Sequence, residues 1–246
     1  MVETALQGQR DRLPEMKIPR HIAVILDGNG RWATEKGFLR EVGHYEGFGK
    51  LESMIRIAEK YGVRYLSVYA FSTENWGRPK PEVDCLMAVF RYYIEKLVPA
   101  VADIGGRIRF AGARSVPPLP PELKELMDDA EERTRDRTGI DFIMCINYGG
   151  RKEILDAASA LLESGHRGPI AEEDLRKYLY CPDVPDPDLV IRTGGDLRLS
   201  NFWLWQSAYS EFYFPKEYWP DFSEESFLKA LEEYTRRDRR FGKLNK

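Results

Sequence analysis

Between His21 and Arg192 the chain alternates short β-rich runs with longer stretches whose apolar residues recur at helical spacing. The runs are 21–26 (HIAVIL), 65–71 (YLSVYAF), 107–112 (RIRFAG), 140–148 (IDFIMCINY) and 189–192 (LVIR). Each is rich in β-branched and aromatic residues and short enough for a strand. Helical stretches fall at about 43–61, 82–103, 121–136, 150–164 and 171–179, with a last one near 223–239. Over 43–61, Phe48, Leu51, Met54, Ile55 and Ala58 share one stripe, as an amphipathic helix requires. Leu86, Val89, Phe90, Tyr93, Leu97 and Val101 do the same over 82–103. The prolines of PPLPPELKEL suit the opening of a helix. This alternation predicts one α/β domain with a mostly parallel central sheet surrounded by helices. Residues 1–20 carry charge without steady periodicity and read as a loose N-terminal arm. No linker or internal repeat divides the remainder.

Composition narrows the class. The 246 residues are 43% apolar and 31% charged, enough for a sizeable core, and the net charge of −3 gives no global argument for nucleic acid. No apolar run approaches a bilayer-spanning length and the N-terminus lacks a signal-peptide pattern. Cys85, Cys145 and Cys181 are far apart and form no CxxC pair, which argues against a disulfide framework or structural zinc. A cytoplasmic, reduced enzyme or binding protein is the expectation.

In parallel sheets ligands bind beyond the carboxyl ends of the strands. After the first run comes Asp27-Gly28-Asn29-Gly30-Arg31-Trp32, and Gly28-x-Gly30-x-x-Ala33 fits a strand entering a phosphate-binding helix. A bare carboxylate at Asp27 would repel a diphosphate unless a divalent metal lay between them; the plainer reading is a helix-capping acid. Arg40 and His44 stand four apart and can meet one ligand, although a surface pair is the commoner outcome. The second run ends in FSTENWGRPKPE, an irregular loop long enough to act as a lid, with Ser72, Thr73, Asn75, Trp76 and Arg78. The last short run ends in RTGGDLRLSNFW, a second glycine loop with Arg192, Arg198 and Ser200. Two anion-binding loops suggest two anionic ligands. Glu211, in AYSEFYF, is a further carboxylate or a solvated strand-edge acid.

Together these blocks resemble the cis-prenyltransferases, isoprenyl transferases of the undecaprenyl diphosphate synthase type. HIAVILDGNGRWA, REVGHYEG, VYAFSTENWGRP, INYGGRKEI, RTGGDLRLSNFWLWQSAYSEFYF, WPDF and RRFG run in family order from residue 21 to 242. The resemblance implies a catalytic domain over 21–242 with a C-terminal tail at 243–246. It makes Asp27 the metal-binding acid and Glu211 a further ligand of Mg2+. Gly28, Asn29, Gly30, Arg31, Arg40 and His44 would hold an allylic diphosphate, with Trp32 beside it. Ser72, Thr73, Glu74, Trp76 and Arg78 would belong to a mobile substrate-contacting loop. Arg192, Arg198, Leu199 and Ser200 would grip isopentenyl diphosphate. A homodimer is implied, with Arg240-Phe241-Gly242 reaching toward the neighbour's site. Leu197 stands where many bacterial relatives carry histidine, so any imidazole contribution there is missing.

The implied reaction is condensation of isopentenyl diphosphate onto farnesyl diphosphate with a cis double bond, giving undecaprenyl diphosphate for glycosyl-carrier lipid and cell-wall synthesis. The resemblance points to Asn75 as proton acceptor, but a neutral amide is a poor base; a role in orientation, with the departing diphosphate taking the proton, fits better. Ala70, the stripe of 82–103 and the strand around Ile140 are candidate walls for an apolar product, against core packing. The implied location is cytoplasmic, with transient contact at the inner membrane face for product release. The DDxxD motif of trans enzymes is missing, and Asp128-Asp129 reads as a solvated face. A nicotinamide enzyme would conscript Glu46 or Glu52 for the ribose but leaves Asp27, Arg40, His44 and the second loop without a task. A non-catalytic partner subunit would not need Asp27 with both arginine loops. Nucleic-acid or lipid contact through the basic tail RRDRRFGKLNK competes with a solvated helix end.

Overall fold

The computed structural model describes residues 16–114 and 119–237. The motif Arg240-Phe241-Gly242, the tail 243–246 and the first fifteen residues of the arm lie outside the described residues. Six strands form one sheet: β1 (His21–Ile25), β2 (Tyr65–Ser72), β3 (Arg107–Ala111), β4 (Asp141–Tyr148), β5 (Leu189–Arg192) and β6 (Glu211–Tyr213). Their spatial order is β3-β4-β2-β1-β5-β6, and every pairing is parallel. The helices are α1 (Asn29–Glu35), α2 (Arg40–Gly49), α3 (Leu51–Lys60), α4 (Lys80–Asp103), α5 (Pro121–Thr134), α6 (Gly150–Glu163), α7 (Glu172–Arg176) and α8 (Glu224–Thr235). Among the described residues no helix is long and apolar enough to cross a membrane.

The period-2 alternation of the strands sorts side chains onto two faces. Ile22, Val24, Leu66, Val68, Phe142 and Met144 join a core with α2, α3, α4, α5 and α8. Ala23, Ile25, Tyr69, Ile143, Cys145 and Val190 face a second core completed by Phe202 and Trp203. Both faces are covered, as the near-continuous apolar runs of a parallel sheet require. Within α4, Leu86, Phe90, Leu97 and Val101 are 2% exposed or less, so the predicted stripe is the buried one. Truncating Phe90 to alanine would cost about 3–5 kcal/mol.

Two expectations need correction, and one strand lacks a sequence signal. The helix read over 43–61 starts earlier, at Arg40, and is two helices that meet at Lys50. Gly47 and Gly49 end the first, because glycine is a poor helix former, and Gly47 lets α2 press against Asn29. β6 carries no strand pattern in the sequence, since its three residues are all half-buried and show little alternation. The stretch 171–179 is helical only over Glu172–Arg176.

The topology sets the position of the site. From β1 the chain moves to β2 and outward, then returns to place β5 on the other side of β1. The loops after β1 and β5 therefore part at a topological switch point, leaving a crevice above the strand ends.

Candidate active site

Asp27 follows β1 at that switch point, and Arg192 is the last residue of β5 beside it. Arg192 is 4% exposed and grips Asp27 Oδ2 through Nη2 at 2.8 Å and Nε at 3.2 Å. Asp27 Oδ1 accepts from the backbone N–H of Gly28 at 2.7 Å and meets Arg31 Nη2 at 3.3 Å. Burial alone would raise the Asp27 carboxyl, but the Arg192 hydrogen bonds and charge, the Gly28 N–H and Arg31 outweigh it and hold it low. The acid is thus a fixed anion. It does not cap α1, whose N-cap is Gly28 without a side-chain cap bond, and it opens onto the crevice.

Glycine is required around it by close approach. Gly28 has φ 97°, and a Cβ there would lie 2.3 Å from the Tyr218 ring. At Gly43 a Cβ would lie 1.9 Å from the carbonyl oxygen of Asn29, so α2 packs directly on the start of α1. That contact brings His44, one residue on, into the crevice.

Asp27, Asn29, His44, Ser72, Asn75, Arg78, Arg192 and Ser200 line one cleft of about 180 Å³. Its other walls are Ile25, Leu26, Phe48, Tyr69, Ala70 and Leu86, so a polar mouth runs into an apolar interior. Gly28, Gly30, Arg31 and Arg40 line an adjoining cavity of about 90 Å³, which shares Asp27, Asn29, His44 and Arg78 with the cleft. Arg192 Nη1 donates to Ser200 Oγ at 2.7 Å and to the carbonyl of Arg198.

Within the 72–77 turn Asn75 Oδ1 accepts from the Ser72 N–H at 3.1 Å. With its oxygen engaged, the Asn75 amide offers the cleft its N–H donors.

Several predicted residues are placed elsewhere. Trp32 donates to Asp221 at 2.8 Å under the Lys36 ammonium and does not line the cleft. Trp76 donates to Asn147 at 2.8 Å and stacks edge-on against Phe71, which makes it an anchor of the loop. Leu199 packs on the second core, and Leu197 is 77% exposed. The Arg198 side chain reaches Asp196 at 2.9 Å. Thr73 hydrogen-bonds Glu74, whose carboxylate borders a neighbouring cavity. Ile140 is core and lines neither the cleft nor the adjoining cavity. Glu211 lies level with Leu189, at the opposite end of β5 from Arg192, and pairs with Arg237 at 3.0 Å. One chain does not bring it to Asp27.

Two acids escaped the sequence reading. Glu82 Oε1 gathers Arg78 Nη1 at 3.0 Å, His44 Nε2 at 3.1 Å and Arg40 Nη2 at 3.8 Å. Burial raises its carboxyl, yet the His44 hydrogen bond and the arginine charges bring it below the usual range. Burial lowers His44, with Glu82 opposing and Arg78 reinforcing, so the ring is neutral near pH 7. Asp196 meets Arg198, Arg31 at 3.4 Å and Arg192 at 3.6 Å. Glu82 lies in the first turn of α4, which begins two residues after Arg78. Asp196 stands between Arg192 and Arg198.

Among the described residues no group of three or more His, Cys, Asp or Glu is placed to hold a metal. A lone ionised carboxylate beside an arginine-lined cavity fits magnesium only in company with phosphate oxygens, its usual partners.

The crevice lies where parallel α/β sheets bind their ligands, beyond the strand ends at a topological switch point. The chain is a member of the undecaprenyl diphosphate synthase family of prenyltransferases, whose profile matches residues 25–242. It is 46% identical over 232 residues to an isoprenyl transferase of Thermotoga maritima, covering 93% of this chain and 99% of that one. It is 43% identical to the ditrans,polycis-undecaprenyl-diphosphate synthase ((2E,6E)-farnesyl-diphosphate specific) of Micrococcus luteus, covering 93% of each. Among solved structures, lavandulyl diphosphate synthase from Lavandula x intermedia, in complex with dimethylallyl diphosphate, superposes with TM-score 0.87. It is 34% identical, covering 92% of this chain and 99% of that one. A probable undecaprenyl diphosphate synthase from Campylobacter jejuni gives TM-score 0.79 at 31% identity, covering 93% and 100%.

Proposed function

We propose that this prenyltransferase condenses isopentenyl diphosphate repeatedly onto farnesyl diphosphate, forming cis double bonds and releasing undecaprenyl diphosphate, a carrier lipid for cell-wall synthesis. The observation that carries this reading is a cleft whose arginine-rich mouth continues into the apolar walls of Phe48, Ala70 and Leu86. That sequence of surfaces suits a diphosphate head and a hydrocarbon tail.

Arg31, Arg40, His44 and Arg78 with the α1 N-terminus would hold the allylic diphosphate; Arg192 and Ser200 would hold the second substrate, joined by Arg198 once it leaves Asp196. Asp27 would carry Mg2+, which supplies charge neutralisation on the leaving diphosphate; Glu211 joins that set only if a second chain delivers it. The arginines add to that stabilisation as the carbon–oxygen bond breaks. Loss of one such group typically costs about 10²–10³-fold in rate. Fixing both substrates in line contributes up to roughly 7–11 kcal/mol in the best-oriented cases. As the allylic carbon–oxygen bond breaks, the isopentenyl double bond attacks that carbon and a carbon–carbon bond forms. A proton then leaves the adjacent carbon for an oxygen of the departed diphosphate. Asn75, whose amide oxygen faces the Ser72 N–H, orients substrate rather than taking that proton. The enzyme works as a cytoplasmic homodimer that meets the inner membrane face to release product.

Incubation with labelled isopentenyl diphosphate, farnesyl diphosphate and detergent, with magnesium or with chelator, tests the reading. A magnesium-dependent polyprenyl product of eleven units with cis new double bonds is expected. A single-condensation or branched product, or none, would overturn it.

A further inference from the structure

Among the described residues, four non-glycine residues adopt positive φ: Asn147 (54°), Ser200 (49°), Asn201 (67°) and Trp203 (43°). Asn147 lies near the end of β4, and the other three fall together in the loop after β5. Asn147 receives the Trp76 indole N–H, and the Tyr69 hydroxyl bridges the carbonyls of Tyr148 and Ser200 at 3.1 and 3.3 Å. Unfavourable backbone concentrated in one place persists only where the surroundings over-determine it, which is typical of functional sites.

At its centre is Asn201. Its Nδ2 donates to Glu74 Oε1 at 2.8 Å, its Oδ1 accepts from the Arg151 N–H at 2.9 Å, and its carbonyl accepts from the Gly150 N–H at 2.7 Å. One residue thus satisfies two of the otherwise unpaired N–H groups that open α6 and reaches across to the turn that bears Asn75. The approach is tight: a Cβ on Gly149 would lie 2.6 Å from Thr73 Oγ1 and 2.8 Å from Asn201 Nδ2. Glu74 has both oxygens engaged, Oε1 by Asn201 and Oε2 by Thr73, so its carboxylate faces the protein's own donors. Ser72, Glu74, Asn75, Arg151, Ser200 and Asn201 line a cavity of about 480 Å³, which shares Ser72, Asn75 and Ser200 with the cleft.

We propose that Asn201 is a positioning residue that fastens the 72–77 turn to α6, so that Asn75 and Ser200 are held facing one another across the cleft. The fastening is read from geometry alone; its kinetic consequence rests on the prenyl-transfer reading. Asn201 does not line the cleft itself. Asparagine suits the place because it tolerates the left-handed backbone and offers a donor and an acceptor at once.

Two variants keep that backbone available. Asn201→Gly removes both side-chain bonds, and Asn201→Asp keeps the bond from Arg151 while setting a carboxylate against Glu74. In both, the amides of residues 73–78 exchange hydrogen roughly ten-fold or more faster than in the wild type, as loss of a bond to a charged group implies. Turnover falls by about the same factor, while KM for the allylic diphosphate stays within about two-fold, because Arg31, Arg40 and His44 lie outside the loosened turn. Combining Asn201→Asp with Glu74→Gln exchanges donor and acceptor, and restores exchange protection to within about three-fold of wild type. Unchanged exchange in Asn201→Gly, or a double variant no better than Asn201→Asp alone, would overturn the proposal. Should the wild type form no prenyl product, the functional reading fails, and the exchange comparison still decides the fastening.

Discussion

Replacing Glu82 removes the carboxylate on which Arg78, His44 and Arg40 converge. Its side chain is 11% exposed, and the bonds from Arg78 at 3.0 Å and His44 at 3.1 Å are direct. A hydrogen bond to a charged group contributes about 1.5–3 kcal/mol. The Arg40 contact, at 3.8 Å to a side chain 53% exposed, is screened and counts for little. Glu82→Ala therefore costs about 2–3 kcal/mol of transition-state placement, or roughly 30–150-fold in kcat. Glu82→Gln retains an acceptor for Arg78 and costs about 1 kcal/mol, near five-fold. Deleting a negative charge beside the anion site favours bound diphosphate in the ground state, so KM for the allylic substrate holds or falls. Steady-state incorporation of labelled isopentenyl diphosphate, with the allylic diphosphate varied, separates the two constants. Unchanged kcat in Glu82→Ala, or a loss confined to KM, would show that substrate alone places these side chains and would refute the reasoning.

Two further outcomes follow from the geometry. His21 Nδ1 lies 2.7 Å from the Pro185 carbonyl and Nε2 lies 2.8 Å from Ser67 Oγ; burial depresses the ring to about 4 against an ordinary 6.5. The unfolded chain takes up a proton there that the fold refuses, so stability present above 6.5 drains as pH falls toward 4, by about 3 kcal/mol in all. Urea unfolding at pH 7, 5.5 and 4 should show the wild type losing ground relative to His21→Gln by that amount; a gap independent of pH would contradict it. Asn75→Asp keeps the bond from Ser72 but brings a negative charge and loses the donors, so it should be impaired at least as much as Asn75→Ala, roughly 10–100-fold in kcat. Full activity in Asn75→Asp would instead mark a proton acceptor.

The parts of this molecule that could be read without coordinates are those whose signal is local. The apolar runs of β1, β2 and β4 and the stripe of α4 announce themselves because burial on a fixed face imposes a period. The glycine loop after β1 is legible for a related reason: a tight turn and close packing of backbone leave few residue types possible. What could not be read depends on register and distance. β6 is three half-buried residues, and only its pairing with β5 places Glu211 level with Leu189 instead of beside Asp27. Trp32 and Trp76, expected at the substrate, are anchored by Asp221 and Asn147, partners 189 and 71 residues away. Glu82 at the start of a helix looks like any acid complementing the helix dipole; its task appears only when α2 brings Arg40 and His44 against it. Asn201 likewise gains its meaning from Glu74, 127 residues earlier.

The central claim is that Asp27 serves the diphosphate chemistry and not merely the structure of the loop after β1. The most direct measurement compares the wild type with Asp27→Ala for incorporation of labelled isopentenyl diphosphate across a magnesium titration, with circular dichroism to confirm folding. The account predicts a magnesium-dependent wild type and a folded variant at least about 10²–10³-fold slower at every magnesium concentration. A folded Asp27→Ala protein with near wild-type incorporation and the same magnesium response would contradict it.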